Sequence, residues 1–526
     1  MYEAGNDVIA LRNAENGFYF SLNDDGELVC ESPTINENCL FELFDWGDGA
    51  VSFKSKVSGK YVADAGVMKC CSDNVYGWFV KERFMMERDG RDCILRNWQN
   101  RFLTVSADRK IRVSNSLRPT KKSVFNIELF SSGLDRVRRV ATEAHNVLVI
   151  CGNNPMINAR ECHDRKHLDL PQKQLTVMDN VASINANTVL CLVSGYPFAV
   201  NDERISAIVH ITHAGPAIGT AVAKTIFGDV SPAGRCPITW YRSEKELCDI
   251  KDYNIIRTGS TYLYYEGEPL FPFGHGLSYT SFRYGSIKTD KRAYVKGETV
   301  KVTFDITNMG GCSSDEVAQL YIAPPKLPVT LPEKQLRAFK RVFVPKGEVI
   351  TVTLSFKVDD LAFWNDNIGD FDVFAGTYEL LVGGSSTDIR RTAEIHISGS
   401  EYTGTDVSRI VHAVESTEYL GVTYDADEKL EEYALINDWQ SFISYEYCEM
   451  KGYHRVDLVV SNPGSSASLS FICEETDEVI AVCEIPPTGS LTEFIKVSAP
   501  AEPVQGLHKL KLVSSGMISL KSFSFS

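Results

Sequence analysis

The sequence lacks the features that would mark a membrane or secreted protein. It has no run of about eighteen apolar residues, so a membrane-spanning helix is not expected. Its start, MYEAGNDVIALRNAENG, has no basic leader followed by an apolar core, as a signal peptide would have. We therefore expect a cytoplasmic protein with no membrane partner.

Ligand spacings typical of metal sites are also missing. The 14 cysteines form no CxxC pair, and the 10 histidines form no HExxH motif. Scattered cysteines of this kind are typical of buried thiols in a reducing compartment. The sequence therefore predicts no metal site and no cofactor.

Positive charge is scarce as well. Lys and Arg number 54 against 69 Asp and Glu, which gives a formal net charge of −15. An acidic chain repels a phosphate backbone, so nucleic acid is not expected as a partner. A length of 526 residues exceeds what one hydrophobic core usually holds, and several domains are expected.

Residues 1–132 repeat at a period of 42 residues. The repeated segments are NGFYFSL from Asn16, SGKYVAD from Ser58 and NRFLTVS from Asn100. The same interval separates three basic residues, Arg12, Lys54 and Arg96. Each unit combines alternating strand-like runs with a turn, and three such units predict a β-trefoil.

Residues 133–284 change to an α/β pattern. Continuous apolar runs (NVLVICG, TVLCLVSG, ISAIVHITHAG) alternate with helical segments, which is typical of buried parallel strands in a doubly wound sheet. Only about three such strands can be counted, fewer than these sheets usually have. We expect an incomplete α/β sandwich with an edge and an apolar patch that a partner covers.

Two all-β blocks follow. Residues 285–398 alternate apolar and polar residues at the spacing of a β-sandwich, and residues 399–526 give a linker and a second sandwich. The predicted fold class is therefore multidomain and mainly β, with one α/β domain.

Four segments follow one another between residues 134 and 398: ECHDRKHLDLP, LVSGYPFAV, GPAIGTAVAKTIFGDVSPAGRCPITW and PLFPFGHGLSYTSF. In this order they resemble glycoside hydrolase family 3, the β-glucosidase and β-xylosidase family, and the last leads into its fibronectin type III-like domain. The N-terminal repeats resemble fascin-like repeats. The last block looks like a family 6 carbohydrate-binding module.

The resemblance also shows departures. Family members carry an (α/β)8 barrel that supplies the Asp nucleophile and most sugar contacts, and this chain has neither the barrel nor the first part of the sandwich. Leu263 stands where relatives usually have Arg. The resemblance therefore predicts a subunit or fragment of a retaining β-glycosidase, inactive alone, that acts on a β-linked glycoside together with a barrel-bearing glycosidase chain.

Retaining hydrolysis needs two carboxyls about 5 Å apart, one as nucleophile and one as acid/base. The resemblance to the family's Glu-x-x-Asp-Arg motif implies that Glu161 is the acid/base. Asp164 and Arg165 are expected to brace this loop, with Asp164 or Asp169 as ionic partner of Arg165. The alternative is that Glu161 is an ordinary solvated loop carboxylate.

Sugar binding by the last domain would use aromatic faces, because an apolar sugar face stacks on a ring. The candidates are Trp439, Tyr445 and Tyr447, although aromatic loops also cap cores. The alternative function is accordingly a non-catalytic carbohydrate-binding or scaffolding protein.

Overall fold

The computed structural model describes residues 5–158, 160 and 164–526. Within them the chain is mainly β with few helices, which confirms the mainly β character predicted from the sequence. It divides into two compact units, one of Met1–Asp229 and Trp240–Glu246, the other of Val230–Thr239 and Leu247–Ser526.

Helices occupy little of the described chain. The α-helices there are α1 (Gly133–Glu143), α2 (Gln172–Ile184), α3 (Ile218–Ile226) and α4 (Thr261–Tyr264). Short 3-10 helices are Glu37–Cys39, Lys121–Ser123, Glu244–Glu246, Val358–Leu361 and Ala413–Glu415. Within this described part, no helix has both the length and the apolar character to cross a bilayer.

The repeats of the first unit form short antiparallel strands. They are β1 (Asp7–Asn13), β2 (Tyr19–Leu22), β3 (Leu28–Ser32), β4 (Phe41–Gly47), β5 (Ala50–Ser55), β6 (Tyr61–Asp64), β7 (Met68–Ser72), β8 (Phe84–Asp89), β9 (Asp92–Arg96), β10 (Leu103–Val105), β11 (Ile111–Val113) and β12 (Val124–Ser131). Most join one sheet in the order β3-β2-β1-β12-β9-β8-β5-β6-β7, with β4 between β1 and β5, while β10 pairs with β11. The first strand therefore pairs with the last, and the buried side chains of all three repeats form one core.

A tight turn recurs in each repeat. The N–H groups of Asn13, Ser55 and Asn97 donate to the carbonyl oxygens of residues 18, 60 and 101, over 2.9, 2.9 and 2.8 Å. The turns contain left-handed residues at Gly17, Gly59 and Asn100, with φ of 76°, 67° and 64°. Gly and Asn tolerate this conformation better than other residues, which explains why they mark the repeat.

The same repeat places a cation over an aromatic ring three times. Arg12 lies 5.7 Å from the ring centre of Tyr19, Lys54 lies 5.3 Å from that of Tyr61, and Arg96 lies 4.1 Å from that of Phe102. The basic residues that revealed the period are thus equivalent in structure as well as in sequence.

The α/β part of the first unit contains β13 (Val147–Gly152), β14 (Thr188–Val193) and β15 (Ala207–Ile211). In the described residues they form a three-stranded parallel sheet in chain order, which confirms the strand count expected from the sequence. The helix α1 begins after Ser132, whose Oγ accepts from the N–H of Asp135 over 3.1 Å.

This sheet has a covered face and, at its edge strand β13, an open face. On β13, Val149 and Cys151 are buried, whereas the alternate residues Leu148 and Ile150 are 40% and 64% exposed. The helices α1 and α2 contact each other, and α2 contacts β13. The apolar helix α3, in contrast, contains no buried residue.

In the second unit, two sheets share a core between residues 282 and 398. The strands are β16 (Phe282–Tyr284), β17 (Lys288–Thr289), β18 (Ala293–Val295), β19 (Thr299–Asn308), β20 (Ser314–Ala323), β21 (Gln335–Val344), β22 (Val349–Lys357), β23 (Phe363–Asn365), β24 (Asp370–Asp372), β25 (Gly376–Gly383) and β26 (Ile389–Ser398). One sheet combines β16, β17, β19 and β22, the other has the order β18-β26-β25-β20-β21, and β23 pairs with β24. The buried side chains of β19 and β20 belong to one hydrophobic cluster.

The last part of the chain again has two sheets around its own core. The strands are β27 (Thr405–Asp406), β28 (Val411–His412), β29 (Glu418–Leu420), β30 (Val422–Ala426), β31 (Glu432–Ile436), β32 (Phe442–Lys451), β33 (Arg455–Ser461), β34 (Ala467–Cys473), β35 (Glu478–Ile485), β36 (Ile495–Pro500), β37 (Gln505–Ser514) and β38 (Ile518–Phe525). One sheet follows β27-β32-β37-β34-β35 with β29 on β32, and the other follows β30-β31-β38-β33-β36 with β28 on β38. The core contains residues from 407 to 525 alone.

Candidate functional site

A cleft lies beyond the carboxyl ends of β13 and β14, the usual ligand position in parallel α/β sheets. The strand β13 ends at Gly152, where φ is 146°. A Cβ atom built there would lie 1.8 Å from the carbonyl oxygen of Val193. Only glycine permits this close approach of the two strand ends, and the loops that follow both strands therefore begin side by side.

Asparagine and tyrosine side chains tie these two loops together. The hydroxyl of Tyr196 donates to the carbonyl oxygen of Asn158 over 3.0 Å and accepts from Asn153 Nδ2 over 2.6 Å. Asn158 Nδ2 in turn donates to the carbonyl oxygen of Trp46 over 3.1 Å. The network joins the sheet to the β4–β5 hairpin of the repeats and fixes the wall of the cleft.

Arg165 lies against the same wall. Its guanidinium group donates to the carbonyl oxygen of Pro197 and lies 4.7 and 5.0 Å from the ring centres of Tyr196 and Phe198. Burial lowers the pKa of Arg165 and raises that of Tyr196, and the Arg165 charge opposes the second shift. The sequence offered Asp164 or Asp169 as partners of Arg165, and among the described residues its contacts are with a carbonyl group and two rings.

The cleft has a volume of about 320 Å³, in the range of small-molecule pockets. Its lining includes Trp46, Asn153, Asn158, Arg165, His167, Tyr196 and Phe198. Amides, a guanidinium group and aromatic rings can bind a hydroxyl-rich ligand by hydrogen bonds and stacking. Asp45, Asp48 and Asp169 also line it and add acceptors.

The predicted acid/base residue, Glu161, lies outside the described residues, so its role stays a prediction. Its neighbour Arg160 donates to the carbonyl oxygen of Trp78 over 3.4 Å. The described residue Asp164 is exposed, and its charge contributes to the raised pKa of Tyr196. The predicted loop residues Asp164 and Arg165 therefore both lie near Tyr196.

The three aromatic candidates of the last domain differ in exposure. Trp439 is 68% exposed and Tyr447 is 39% exposed, the latter with a φ of 53° at an irregularity of β32. Tyr445 is 2% exposed, donates to the carbonyl oxygen of Ala413 over 3.2 Å and packs edge-on against Phe523. The Tyr445 ring is packed in the core and is not accessible to a sugar. Of the three candidates, Trp439 and Tyr447 have exposed rings on which a sugar could stack.

Sequence reasoning did not single out Asn153, Asn158 and Tyr196 as a group. They lie on two loops about forty residues apart, and their side chains meet only because the strand ends meet. The sequence did indicate where a site could lie, because both loops follow a parallel strand at a glycine and ligands usually bind beyond the carboxyl ends of such strands.

Comparison with known proteins assigns two domains. Residues 43–279 match the model of the glycosyl hydrolase family 3 C-terminal domain, and residues 316–386 match that of the fibronectin type III-like domain.

Curated relatives extend this result. The chain is 30% identical over 276 residues to the thermostable beta-glucosidase B of Acetivibrio thermocellus, covering 49% of this chain and 36% of the relative. It is 31% identical over 352 residues to a beta-glucosidase of Rhizobium radiobacter, covering 62% and 42% respectively. It is 35% identical over 227 residues to a xylan 1,4-beta-xylosidase of Xylanibacter ruminicola, covering 43% and 26%. The chain thus spans less than half the length of these relatives.

Among solved structures, a beta-glucosidase from Kluyveromyces marxianus matches with a TM-score of 0.50 and 23% identity, covering 75% of this chain and 43% of that one. At this identity the likeness concerns the fold.

Proposed function

Because the chain carries a glycosyl hydrolase family 3 C-terminal domain followed by a fibronectin type III-like domain, we propose that it is part of a retaining β-glycosidase. It supplies an acid/base loop to a separate barrel-bearing chain that carries the nucleophile. The substrate is a β-linked glycoside. The observation that carries the proposal is the cleft beside Arg165, four residues after Glu161 along the chain.

The contacts of Arg165 support a positioning role. Stacking on Tyr196 and Phe198 and the bond to Pro197 anchor the loop four residues after Glu161. A general acid works best with a pKa near the operating pH. The nucleophile's negative charge, brought by the partner, would raise the pKa of Glu161 toward that range.

The open face of the parallel sheet supports a partner. Leu148 and Ile150 lie exposed on it, and soluble proteins usually cover apolar patches of this kind. The occupant we propose is the barrel-bearing chain with the remaining sandwich strands. We also propose that the repeats form a β-trefoil and that the two all-β blocks are β-sandwiches, since each has its own core.

The test is an assay of an aryl β-glycoside with the chain alone, the barrel-bearing chain alone, and the mixture. We expect turnover only in the mixture. If no barrel-bearing chain binds or gains activity from this chain, the proposal fails.

The acid role of Glu161 is tested within an active mixture. Glu161→Ala should lower kcat by about 10²- to 10⁴-fold for a poor leaving group and much less for an activated one, because only the poor leaving group needs protonation. Glu143→Ala removes an exposed carboxylate of α1 and is the matched control, expected to leave kcat unchanged. Equal losses for both leaving groups would contradict the acid role.

The second candidate is a non-catalytic carbohydrate-binding or scaffolding protein. The exposure of Trp439 favours it, since a ring at a domain surface can stack on a sugar. It requires no second chain.

A further inference from the structure

Three side chains of different chemistry meet in the last domain. Cys473 ends β34, Glu475 lies in the following turn, and His508 lies on the neighbouring strand β37. Cys473 Sγ is 3.1 Å from His508 Nδ1 and 3.2 Å from Glu475 Oε2, and the last two atoms are 3.7 Å apart. The sulfur, nitrogen and oxygen atoms therefore lie within 3.7 Å of one another.

Their spacing fits one metal ion. With zinc–sulfur, zinc–nitrogen and zinc–oxygen bonds of about 2.3, 2.1 and 2.0 Å, tetrahedral geometry separates ligand atoms by about 3.3–3.6 Å. The separations of 3.1, 3.2 and 3.7 Å differ from those expected for the same pairs of atoms by about 0.3–0.5 Å. Small side-chain rotations would bring the three atoms to the tetrahedral separations.

The neighbouring hydrogen bonds orient two of the ligand atoms. His508 Nε2 lies 3.0 Å from the carbonyl oxygen of Gln505, which can only accept, so Nε2 carries the proton and Nδ1 presents its lone pair. Glu475 Oε1 accepts from the N–H of Lys509 over 2.8 Å, which leaves Oε2 toward Cys473. A histidine bonded to a carbonyl group through its other nitrogen is the usual arrangement around protein-bound metals.

Burial is graded across the group. Cys473 is buried, the His508 side chain is 20% exposed, and that of Glu475 is 51% exposed. The group is therefore reached from the Glu475 side. A site with three protein ligands open to solvent leaves a fourth position for water.

We propose that Cys473, Glu475 and His508 bind one divalent transition-metal ion of the zinc class. Thiolate and imidazole ligands favour such ions over calcium and magnesium, which prefer oxygen ligands alone. On binding, the Cys473 S–H bond breaks, the Sγ–metal bond forms and the proton passes to solvent. The ion joins β34, the following turn and β37, independently of any glycosidase activity.

The test uses the full chain, freed of metal, titrated with cobalt(II) chloride. We expect one equivalent to produce a thiolate-to-cobalt charge-transfer band in the near ultraviolet, and zinc chloride to abolish it by displacement. The melting temperature of the domain should rise with zinc, because the ion binds the folded form.

Three variants test the ligands. Cys473→Ser should remove the charge-transfer band, and His508→Gln and Glu475→Gln should each weaken cobalt binding at least tenfold. Cys483→Ser is the matched control, since Cys483 is a buried cysteine of the same domain on β35 and outside the group. It should keep the band and full stoichiometry.

Two results would overturn the site: no stoichiometric cobalt binding by the unaltered chain, or binding that survives in the Cys473 and His508 variants. His508→Gln replaces a partly exposed residue, so it still decides the question if Cys473→Ser fails to fold.

Discussion

At the scale of single residues, Glu316 on β20 is a buried carboxylate that contacts two guanidinium groups and a hydroxyl group. Its side chain is 2% exposed, and Oε2 lies 2.8 Å from the guanidinium group of Arg235. Oε1 accepts from the Tyr284 hydroxyl over 2.8 Å and lies 3.5 Å from Arg390. Burial and the Glu316 charge raise the pKa of Tyr284, so its hydroxyl stays a donor.

Breaking a buried ion pair leaves an uncompensated charge, so Glu316→Gln should lower the free energy of unfolding by about 3 kcal/mol. Asp315→Asn on the same strand removes an ion pair with Arg341, whose side chain is 63% exposed, and should cost less than about 1 kcal/mol. Urea unfolding followed by fluorescence measures both. Similar urea midpoints for the two variants would contradict the expected difference between the buried and the exposed ion pair.

Sequence could nominate Arg165 but not its contacts. The family motif marked it together with Glu161 and Asp164. Stacking on Tyr196 and Phe198 depends on where two separate loops meet in space, and no local pattern encodes that. The same reason applies to Cys473 and His508, which lie on neighbouring strands and are 35 residues apart along the chain. Ligand-spacing motifs cover only residues that are close in sequence, so they do not reveal this group.

At the scale of elements, the parallel sheet was the most predictable part. Continuous apolar runs bounded by glycine predicted its strands, since only strands buried on both faces need apolar residues at every position. The pattern could not tell which face this chain covers itself. On β13 the exposed Ile150 and the buried Val149 are both apolar.

The two faces should respond differently to truncation. Leu190 on β14 is fully buried, and Leu190→Ala should lower the free energy of unfolding by about 2–4 kcal/mol through lost burial and a cavity. Ile150→Ala, at an exposed position of the neighbouring strand, should stay within about 0.5 kcal/mol. Thermal or urea unfolding of the chain alone measures both. A loss of 2 kcal/mol or more for Ile150→Ala would mean that the chain covers this face itself.

At the scale of the whole molecule, the expected division into parts rests on the sharp changes of period and alternation along the sequence. The closure of the repeats through the pairing of β1 with β12 could not be predicted in this way, since it joins residues more than a hundred positions apart. Such pairings depend on the sum of many side-chain contacts rather than on a local signal.

The intact chain can distinguish the two candidate functions. If it is a binding protein, it should bind a soluble β-linked glucan or xylan without a partner, measured by affinity electrophoresis. Trp439→Ala should then weaken binding several-fold through lost stacking. Trp364→Ala, at another exposed tryptophan outside the last domain, is the control. Absence of binding to either polysaccharide would argue against this function.

The three cation–ring pairs of the repeats show the same contact made by different side chains within one chain. Arginine over tyrosine, lysine over tyrosine and arginine over phenylalanine occupy equivalent places. Both partners vary while a positive charge above an aromatic face persists. The three repeats thus keep one electrostatic relationship with different side chains, and each copy serves as an internal reference for the other two.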